Sequence, residues 1–270
     1  MRRSATKDLR VFQIPDADAA RGVVTHSSGN HGAAVAGAAA HRGIAAYIVM
    51  PEGTLKPKAA QVARLGGQIT YCAPTQAARE AAAARIAAET GAAFIHPYDD
   101  RRVMAGQGTV ALELIEQAPE LDLVLAPIGG GGLISGLSTA VKALRPSARV
   151  VGAEPAGADD AARSLAAHKL IPLTEARTIA DGLRTSLSAD TFAHVEARVD
   201  EIVTVSESAI VAAMRALWEA LRVTVEPSAA VPYAAIAEGK LDVLGKSVGV
   251  VLTGGNADLD KLPWLSAARP

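Results

Sequence analysis

Short apolar segments alternate with longer alanine-rich segments along most of the chain. The short segments are rich in branched residues, as buried parallel strands are, and occupy residues 23–26, 45–50, 68–72, 93–96, 121–128, 149–154 and 247–252. The longer segments have helical periodicity and occupy residues 32–41, 57–65, 77–90, 105–117, 133–144 and 208–221. Alternation of strand and helix implies right-handed crossovers. The pattern predicts an α/β fold with open, mainly parallel twisted sheets and helices on both faces.

Composition narrows this picture. The chain has 270 residues, 50% of them hydrophobic and 3% aromatic, so it can bury an aliphatic core in one large or two modest domains. Its formal net charge of -1 gives no electrostatic reason to expect binding to nucleic acid or to an anionic membrane. The charge-free run at 123–141 contains Pro127 and four successive glycines, which favour strand, loop and helix over a membrane span. A single cysteine, Cys72, excludes an intramolecular disulfide and fits a reducing cytoplasm.

Three glycine-bearing loops each follow a predicted strand. They have the sequences SGNHG at residues 28–32, GGGG at residues 129–132 and TGGN at residues 253–256. In open α/β sheets, ligands bind beyond the carboxyl ends of the strands, where loops lead into helix N-termini. The sequence therefore predicts a ligand site built from these loops.

The tetraglycine loop suits a phosphate group. Without Cβ atoms the backbone can approach an anion closely, and its amides converge with the N-terminus of the following helix. The loop lacks the Lys-Ser/Thr ending of a P-loop and the spacing of a dinucleotide fingerprint. By itself it fits a tight turn equally well, and its functional interpretation is a free-standing phosphate site.

The first loop carries polar groups suited to an amino acid. Ser27, Ser28 and Asn30 place hydroxyl and amide groups beside helix-terminal N–H groups. Such a set can hold a substrate carboxylate and the aromatic hydroxyl of a cofactor. The same residues alone would also suit a simple helix cap.

Seven motifs in order give a more specific signal. They are THSSGNHG at 25–32, AGQGT at 105–109, PIGGGGL at 127–133, AEP at 153–155, IADG at 179–182, EPS at 226–228 and TGGN at 253–256. In this order they resemble the serine racemase and serine/threonine dehydratase family of fold type II pyridoxal-phosphate enzymes. The resemblance runs from about residue 22 to the C-terminus, and it implies a two-domain architecture.

The resemblance assigns roles to individual residues. It implies that the cofactor is pyridoxal 5'-phosphate, with its phosphate bound by Gly129, Gly130, Gly131 and Gly132. Asn30 would bond the ring hydroxyl and Thr253 would face the ring nitrogen, where a neutral hydroxyl makes a weaker electron sink that suits elimination. Ser27, Ser28 and His31 would bind substrate. Ser28 would also be the catalytic acid or base opposite the lysine, although a role as a carboxylate donor alone is equally compatible.

A second site is implied at the loop that follows the sixth predicted strand. Family spacing places metal ligands at Glu154, the Ala158 carbonyl and Asp160, which would supply hard oxygen atoms for Mg²⁺, Mn²⁺ or Ca²⁺. Acidic loop residues are also commonly just solvated. Arg79 matches a family arginine that faces the active-site cleft, with an ordinary surface arginine as the alternative.

The family's Schiff-base lysine lies upstream of residues 25–32, in the pattern Ser-Phe-Lys-x-Arg-Gly-Ala. The nearest echo, RSAT at residues 3–6, places that lysine at Met1. Lys7 would face away on a helix, and Lys56 and Lys58 are expected to be solvated. No lysine is therefore assigned, and we expect the given sequence to be truncated at its N-terminus, with impaired turnover and uncovered apolar surface.

By resemblance, the intact protein is a serine/threonine dehydratase (ammonia-lyase), a serine racemase, or both. It would convert L-serine or L-threonine to a 2-oxo acid and ammonia, as a cytoplasmic homodimer. A smaller domain at 22–99 and a larger one formed by 1–21 and 100–270 are expected. A non-catalytic relative that binds cofactor or amino acid stays open as an alternative. A nicotinamide dehydrogenase is disfavoured because no dinucleotide fingerprint follows a strand.

Overall fold

The computed structural model describes residues 9–27 and 29–265. The chain forms two compact units that divide between Gly106 and Gln107. Each unit contains a four-stranded sheet whose strand pairs are all parallel. The predicted α/β class, with parallel sheets and helices packed on them, is confirmed.

The first unit has strand order β3-β2-β1-β4. Its elements are α1 Leu9–Phe12, α2 Asp16–Ala19, β1 Val23–His26, α3 Asn30–Arg42, β2 Ala46–Pro51, α4 Lys56–Arg64, β3 Gln68–Cys72, α5 Gln76–Thr90 and β4 Ala93–Phe94. Helix α6, Arg101–Gln117, runs across the division. All four residues of β1 are buried, as expected for a central strand with a covered sheet on both sides. This central strand leads directly into the first glycine-bearing loop.

Local sequence signals set the ends of these helices. Thr75 caps α5 through its side chain, which accepts from the Ala78 N–H, and Gly91 ends the helix at φ 71°. Gly43 ends α3 in the same left-handed conformation. Four alanines of α3, Ala33, Ala36, Ala38 and Ala39, are buried in the core, and their small size lets the helix approach the sheet closely.

The segment before β1 packs on the first unit. Val11 and Ile14 are buried in its core, and Arg42 donates to their carbonyl oxygens at 2.5 Å and 2.6 Å. Arg10 also pairs with Asp100 at 3.1 Å, with both side chains largely buried. The described part of the N-terminal segment, residues 9–21, therefore lies with the smaller unit, whereas the sequence prediction assigned residues 1–21 to the larger domain.

The second unit has strand order β7-β6-β5-β8. Its elements are β5 Leu123–Pro127, α7 Gly132–Leu144, β6 Arg149–Pro155, α8 Asp160–Ala167, α9 Ala189–Arg198, β7 Glu201–Val205, α10 Glu207–Leu221, α11 Pro227–Ala237 and β8 Val248–Val250, with 3-10 turns at Asp181–Leu183 and Leu259–Lys261. The charge-free run at 123–141 forms β5, a loop and α7, as predicted. Among the described residues, no helix is both long and apolar enough to span a bilayer.

Candidate active site

The loop after β1, which we call the substrate loop, comprises residues 27–32. The Ser27 N–H donates to the Val49 carbonyl at 2.9 Å, and the Ser27 Oγ accepts from the Gly29 N–H at 3.3 Å. Helix α3 begins at Asn30, and among the described residues no side chain caps its N-terminus. Backbone N–H groups at a helix start of this kind are suited to an anionic group.

Ser28 and His31 were also predicted to belong to this site. Ser28, predicted to bind substrate and to be catalytic, lies outside the described residues. His31 is the second residue of α3 and is only 3% exposed. Gly32 is required sterically, since a Cβ atom there would lie 2.9 Å from the Ser27 carbonyl oxygen. The loop therefore folds tightly back on its own first residue.

Lys58 was missed by sequence reasoning. The side chain was expected in solvent, but Lys58 is 5% exposed, and its Nζ lies 3.8 Å from where a Cβ on Gly29 would be. A buried ammonium is costly unless a polar or anionic group accompanies it. This cation therefore stands beside the loop that would receive a substrate carboxylate.

In the second unit, the four glycines at 129–132 are all buried. Gly131 has φ 84°, and a Cβ on it would lie 2.6 Å from Leu187 Cδ2. A Cβ on Gly129 would lie 3.0 Å from the Gly182 carbonyl oxygen. The loop is thus enclosed by residues 182–191, and no side chain in the described part of the chain caps the N-terminus of α7 that follows it. This combination of bare backbone and helix terminus fits a phosphate group.

Thr253 follows β8, the strand that pairs with β5. Because the two strands are parallel, the tetraglycine loop and the Thr253 loop leave the same edge of the sheet. The Gly254 carbonyl accepts from the Glu226 N–H at 3.1 Å, and a Cβ on Gly255 would lie 2.4 Å from the Thr224 carbonyl oxygen. The second unit therefore brings together the predicted phosphate site and the predicted partner of the ring nitrogen.

The predicted metal ligands Glu154, Ala158 and Asp160 are each 1% exposed. The Glu154 carboxylate accepts from the N–H groups of Ala161 and Ala162 at 3.3 Å and 2.8 Å. Burial, reinforced by the Asp160 charge, raises the pKa of Glu154 to about 8, and burial also raises the pKa of Asp160.

One carboxylate oxygen of this acidic pair lacks a hydrogen-bond partner among the described residues. This atom is Oδ1 of Asp160, and it is buried. Within the described part of the chain, no cluster of three or more His, Cys, Asp or Glu side chains could hold a metal. Two carboxylates and a backbone carbonyl do not amount to such a cluster, but they are the oxygen donors that a hard cation prefers, so the residues fit one.

Together these features define a class of protein: an α/β protein with a buried glycine loop at a helix N-terminus, suited to a phosphate group, and a separate polar loop suited to a carboxylate. A family model for pyridoxal-phosphate dependent enzymes matches residues 5–254. The chain belongs to that family. The resemblance inferred from the seven motifs is confirmed.

Individual relatives are similar over most of their length. The β-hydroxyaspartate dehydratase of Paracoccus denitrificans (strain Pd 1222) is 50% identical over 254 residues, which cover 94% of this chain and 81% of that protein. Maize serine racemase superimposes with a TM-score of 0.91 at 45% identity, covering 97% of this chain and 81% of that one. A threonine deaminase from T.th. superimposes with a TM-score of 0.88 at 43% identity, covering 94% of this chain and 83% of that one.

Proposed function

We propose that this chain is a pyridoxal-phosphate-dependent ammonia-lyase or racemase that acts on amino acids with a β-hydroxyl group, L-serine and L-threonine first. The observation that carries the proposal is the buried tetraglycine loop at the N-terminus of α7, beside the loop of Thr253. The names of the relatives support the substrate class, because β-hydroxyaspartate, serine and threonine share a hydroxyl on the β-carbon.

One set of residues would hold the cofactor, and another set would bind the substrate. When bound, pyridoxal phosphate supplies an electron sink for bonds at the substrate α-carbon. Backbone N–H groups of residues 129–132 would hold its phosphate, the Asn30 amide its ring hydroxyl, and the Thr253 hydroxyl its ring nitrogen. Thr253 carries no charge, so it would not hold that nitrogen protonated as a carboxylate would, which favours elimination.

Substrate handling falls to the substrate loop. Ser27, His31 and the N-terminus of α3 would hold the substrate carboxylate, and the buried Lys58 ammonium would add positive charge beside them. The Ser28 hydroxyl would exchange a proton at the α-carbon, which is the step that separates racemisation from elimination alone.

The test compares two cofactor forms and two products. Fluorescence titration with pyridoxal 5'-phosphate and with pyridoxal should show much weaker binding of the form that lacks the phosphate, because the cradle contacts only that group. Ammonia and D-serine are then measured from L-serine. Equal affinity for both forms would contradict the phosphate assignment. Borohydride reduction and peptide mapping identify any lysine that carries the cofactor, and cofactor retained without turnover would favour a non-catalytic relative.

We also propose that Glu154, Asp160 and the Ala158 carbonyl bind Mg²⁺, Mn²⁺ or Ca²⁺. The support is the partnerless Oδ1 of Asp160 and the raised pKa values of two neighbouring buried carboxyl groups. Adding Mg²⁺ after EDTA treatment should raise the melting temperature of the wild type. Glu154→Gln should abolish that increase, and Asp159→Asn, at a partly exposed carboxylate of the same loop, should keep it.

Assembly and location complete the proposal. The family resemblance supports a homodimer, and the single cysteine supports a cytoplasmic protein. Light scattering behind a sizing column measures the mass directly, and a mass of one chain would contradict the dimer.

A further inference from the structure

A cluster of aromatic and imidazole rings holds the end of β1 in the first unit. The His26 ring, on the last residue of β1, lies 5.7 Å from the Phe94 ring and 5.6 Å from the His96 ring. Phe94 and His96 are 6.0 Å apart, and Tyr98 packs edge-on against His96 at 4.7 Å. The strand end that leads into the substrate loop is therefore packed against the segment that follows β4.

Two hydrogen bonds to His96 define the protonation of its Nδ1 atom in this arrangement. Its Nδ1 accepts from the backbone N–H groups of Tyr98 at 3.3 Å and of Asp99 at 2.8 Å. A ring nitrogen that accepts two hydrogen bonds carries no proton, so the imidazole is neutral, and we assign its hydrogen to Nε2 from this geometry. If Nδ1 were protonated, its own N–H would face the N–H groups of Tyr98 and Asp99. Both hydrogen bonds would then be lost and the turn would open.

The turn is also anchored beyond His96. Asp100 accepts from Arg10 at 3.1 Å and from the Arg102 side chain at 3.0 Å. The segment therefore has one end on the N-terminal helix and the other on the rings below the substrate loop. A change at His96 reaches the loop through the ring of His26, because Ser27 directly follows that residue.

We propose that His96 is a positioning residue for the substrate loop: its neutral imidazole ties the turn at 96–100 to the end of β1, and protonation of His96 loosens Ser27 and residues 29–32. The proposal rests on the proposed function only in that this loop binds substrate.

The groups around His96 set the pH range of the effect. Those that act on it are His26 on β1, Glu80 on α5, and Tyr98, Asp99 and Asp100 in its own turn, and Arg79 on α5 acts on His26. Burial lowers the pKa of His96 despite the three carboxylates. Burial first, then the charges of His96 and Arg79, lowers the pKa of His26 to about 4. Nε2 of His26 is buried and has no hydrogen-bond partner among the described residues, so no acceptor stabilises a proton there.

The lowered pKa values of both histidines set the direction of the pH dependence. Both folded pKa values lie below the ordinary 6.5, so the loosened or unfolded chain binds protons more readily than the packed one. The packed arrangement is fully stabilised above pH 6.5 and loses stability as the pH falls from there toward about 4. At neutral pH the turn is closed.

Backbone hydrogen exchange of residues 29–33 tests the proposal. Rates are measured by mass spectrometry at pH 5 and pH 7.5 and divided by the intrinsic rates for the same peptides. In the wild type, corrected exchange should be roughly tenfold faster at pH 5, as expected for the loss of two hydrogen bonds. An unchanged corrected rate would overturn the proposal.

Two variants of His96 distinguish its role as a hydrogen-bond acceptor from the packing of its ring. His96→Asn keeps a side-chain oxygen that can accept the same N–H groups but cannot titrate, so its exchange should be slow at both pH values. His96→Phe keeps the ring and loses the acceptor, so its exchange should be fast at both. A His96→Phe loop as slow as the wild-type loop at pH 7.5 would contradict the assignment. Imidazole ¹⁵N spectra of the wild type need no variant, and a protonated His96 Nδ1 at pH 7 would also overturn it.

A separate measurement distinguishes this inference from the proposed function. The affinity for L-serine is measured by calorimetry at pH 5 and pH 7, and the ratio for the wild type is compared with that for His96→Asn, so that titration of serine itself cancels. A larger acid loss in the wild type supports positioning. If serine binds at neither pH while loop exchange responds as expected, the proposed function fails and the positioning role stands.

Discussion

The two loops that we propose as ligand sites are built in different ways. The tetraglycine loop at residues 129–132 is entirely buried, and surrounding atoms leave no room for a single added Cβ at Gly131. In the substrate loop, by contrast, Ser27, Gly29 and Asn30 are only partly buried. Excluded volume thus fixes the shape of the tetraglycine loop, whereas the substrate loop combines one close contact, at Gly32, with partly exposed residues at its start.

Gly131→Ala tests the packing of the tetraglycine loop, and we expect it to lower the free energy of unfolding more than any other variant. The new Cβ would meet Leu187 and also strain a left-handed backbone, so the free energy of unfolding should fall by about 3 kcal/mol or more. Gly239→Ala is the matched control, since Gly239 also has a positive φ, 69°, but nothing lies within 4 Å. It should cost about 1–2 kcal/mol. Urea denaturation measures both, and equal losses would mean that packing does not fix the loop.

The two units should also respond to pH in opposite directions. The pKa of Glu154 is raised from 4.5 to about 8, so its contribution to stability is complete below pH 4.5 and is lost as the pH rises through about 8. The histidines of the first unit lose stability as the pH falls below 6.5. Without added metal, Glu154→Gln should flatten the alkaline side by an amount on the order of a few kcal/mol.

Chemical denaturation at pH 5, 7 and 8.5 measures that dependence. Asp159→Asn is the control, because Asp159 lies in the same loop, is partly exposed and pairs with Arg163. Saturating Mg²⁺ should flatten the wild-type curve as Glu154→Gln does, since a cation favours the ionised carboxylates. An alkaline loss that persists in Glu154→Gln would assign the effect to another group.

Substitution of Lys58 tests the contribution of this buried lysine to substrate binding. Lys58→Met should weaken L-serine binding by roughly tenfold or more, because an ionic hydrogen bond to a carboxylate contributes about 1.5–3 kcal/mol. Lys56→Met, on the same helix but exposed, should leave the affinity unchanged. Calorimetric titration at constant pH compares the two variants. Equal effects would remove Lys58 from the substrate site.

The sequence predicted some strands and helices of the fold accurately and missed or misplaced others. The bounds of β1 and β3 agree with the structure, because both strands are flanked by clear breaks in the apolar pattern. Strand β4 ends at Phe94, two residues before the predicted end, because the chain turns there and His96 accepts from the backbone of that turn. Helix α11 was missed because it is apolar on all sides and contains Pro232, so it shows no helical stripe.

The site shows the same limit. Motif order identified the tetraglycine and Thr253 loops, and the pairing of β5 with β8 explains why distant glycines share one edge. Lys58 could not be found this way. In a linear reading the segment Lys56-Pro57-Lys58 is a charged helix start, and only the tertiary fold buries one lysine and leaves the other in solvent.

Ser27→Ala should have the smallest effect and gives the finest test of the comparison between the loops. It removes the acceptor for the Gly29 N–H, a bond of 3.3 Å at a partly exposed position. We expect L-serine affinity to fall by about threefold to tenfold with little change in unfolding free energy, because a neutral hydrogen bond contributes about 1 kcal/mol. Ser27→Thr keeps the hydroxyl and should restore most of the affinity. If Ser27→Ala instead destabilised the protein as much as Gly131→Ala, the substrate loop would be as rigidly built as the phosphate site, and the distinction between the two loops would fail.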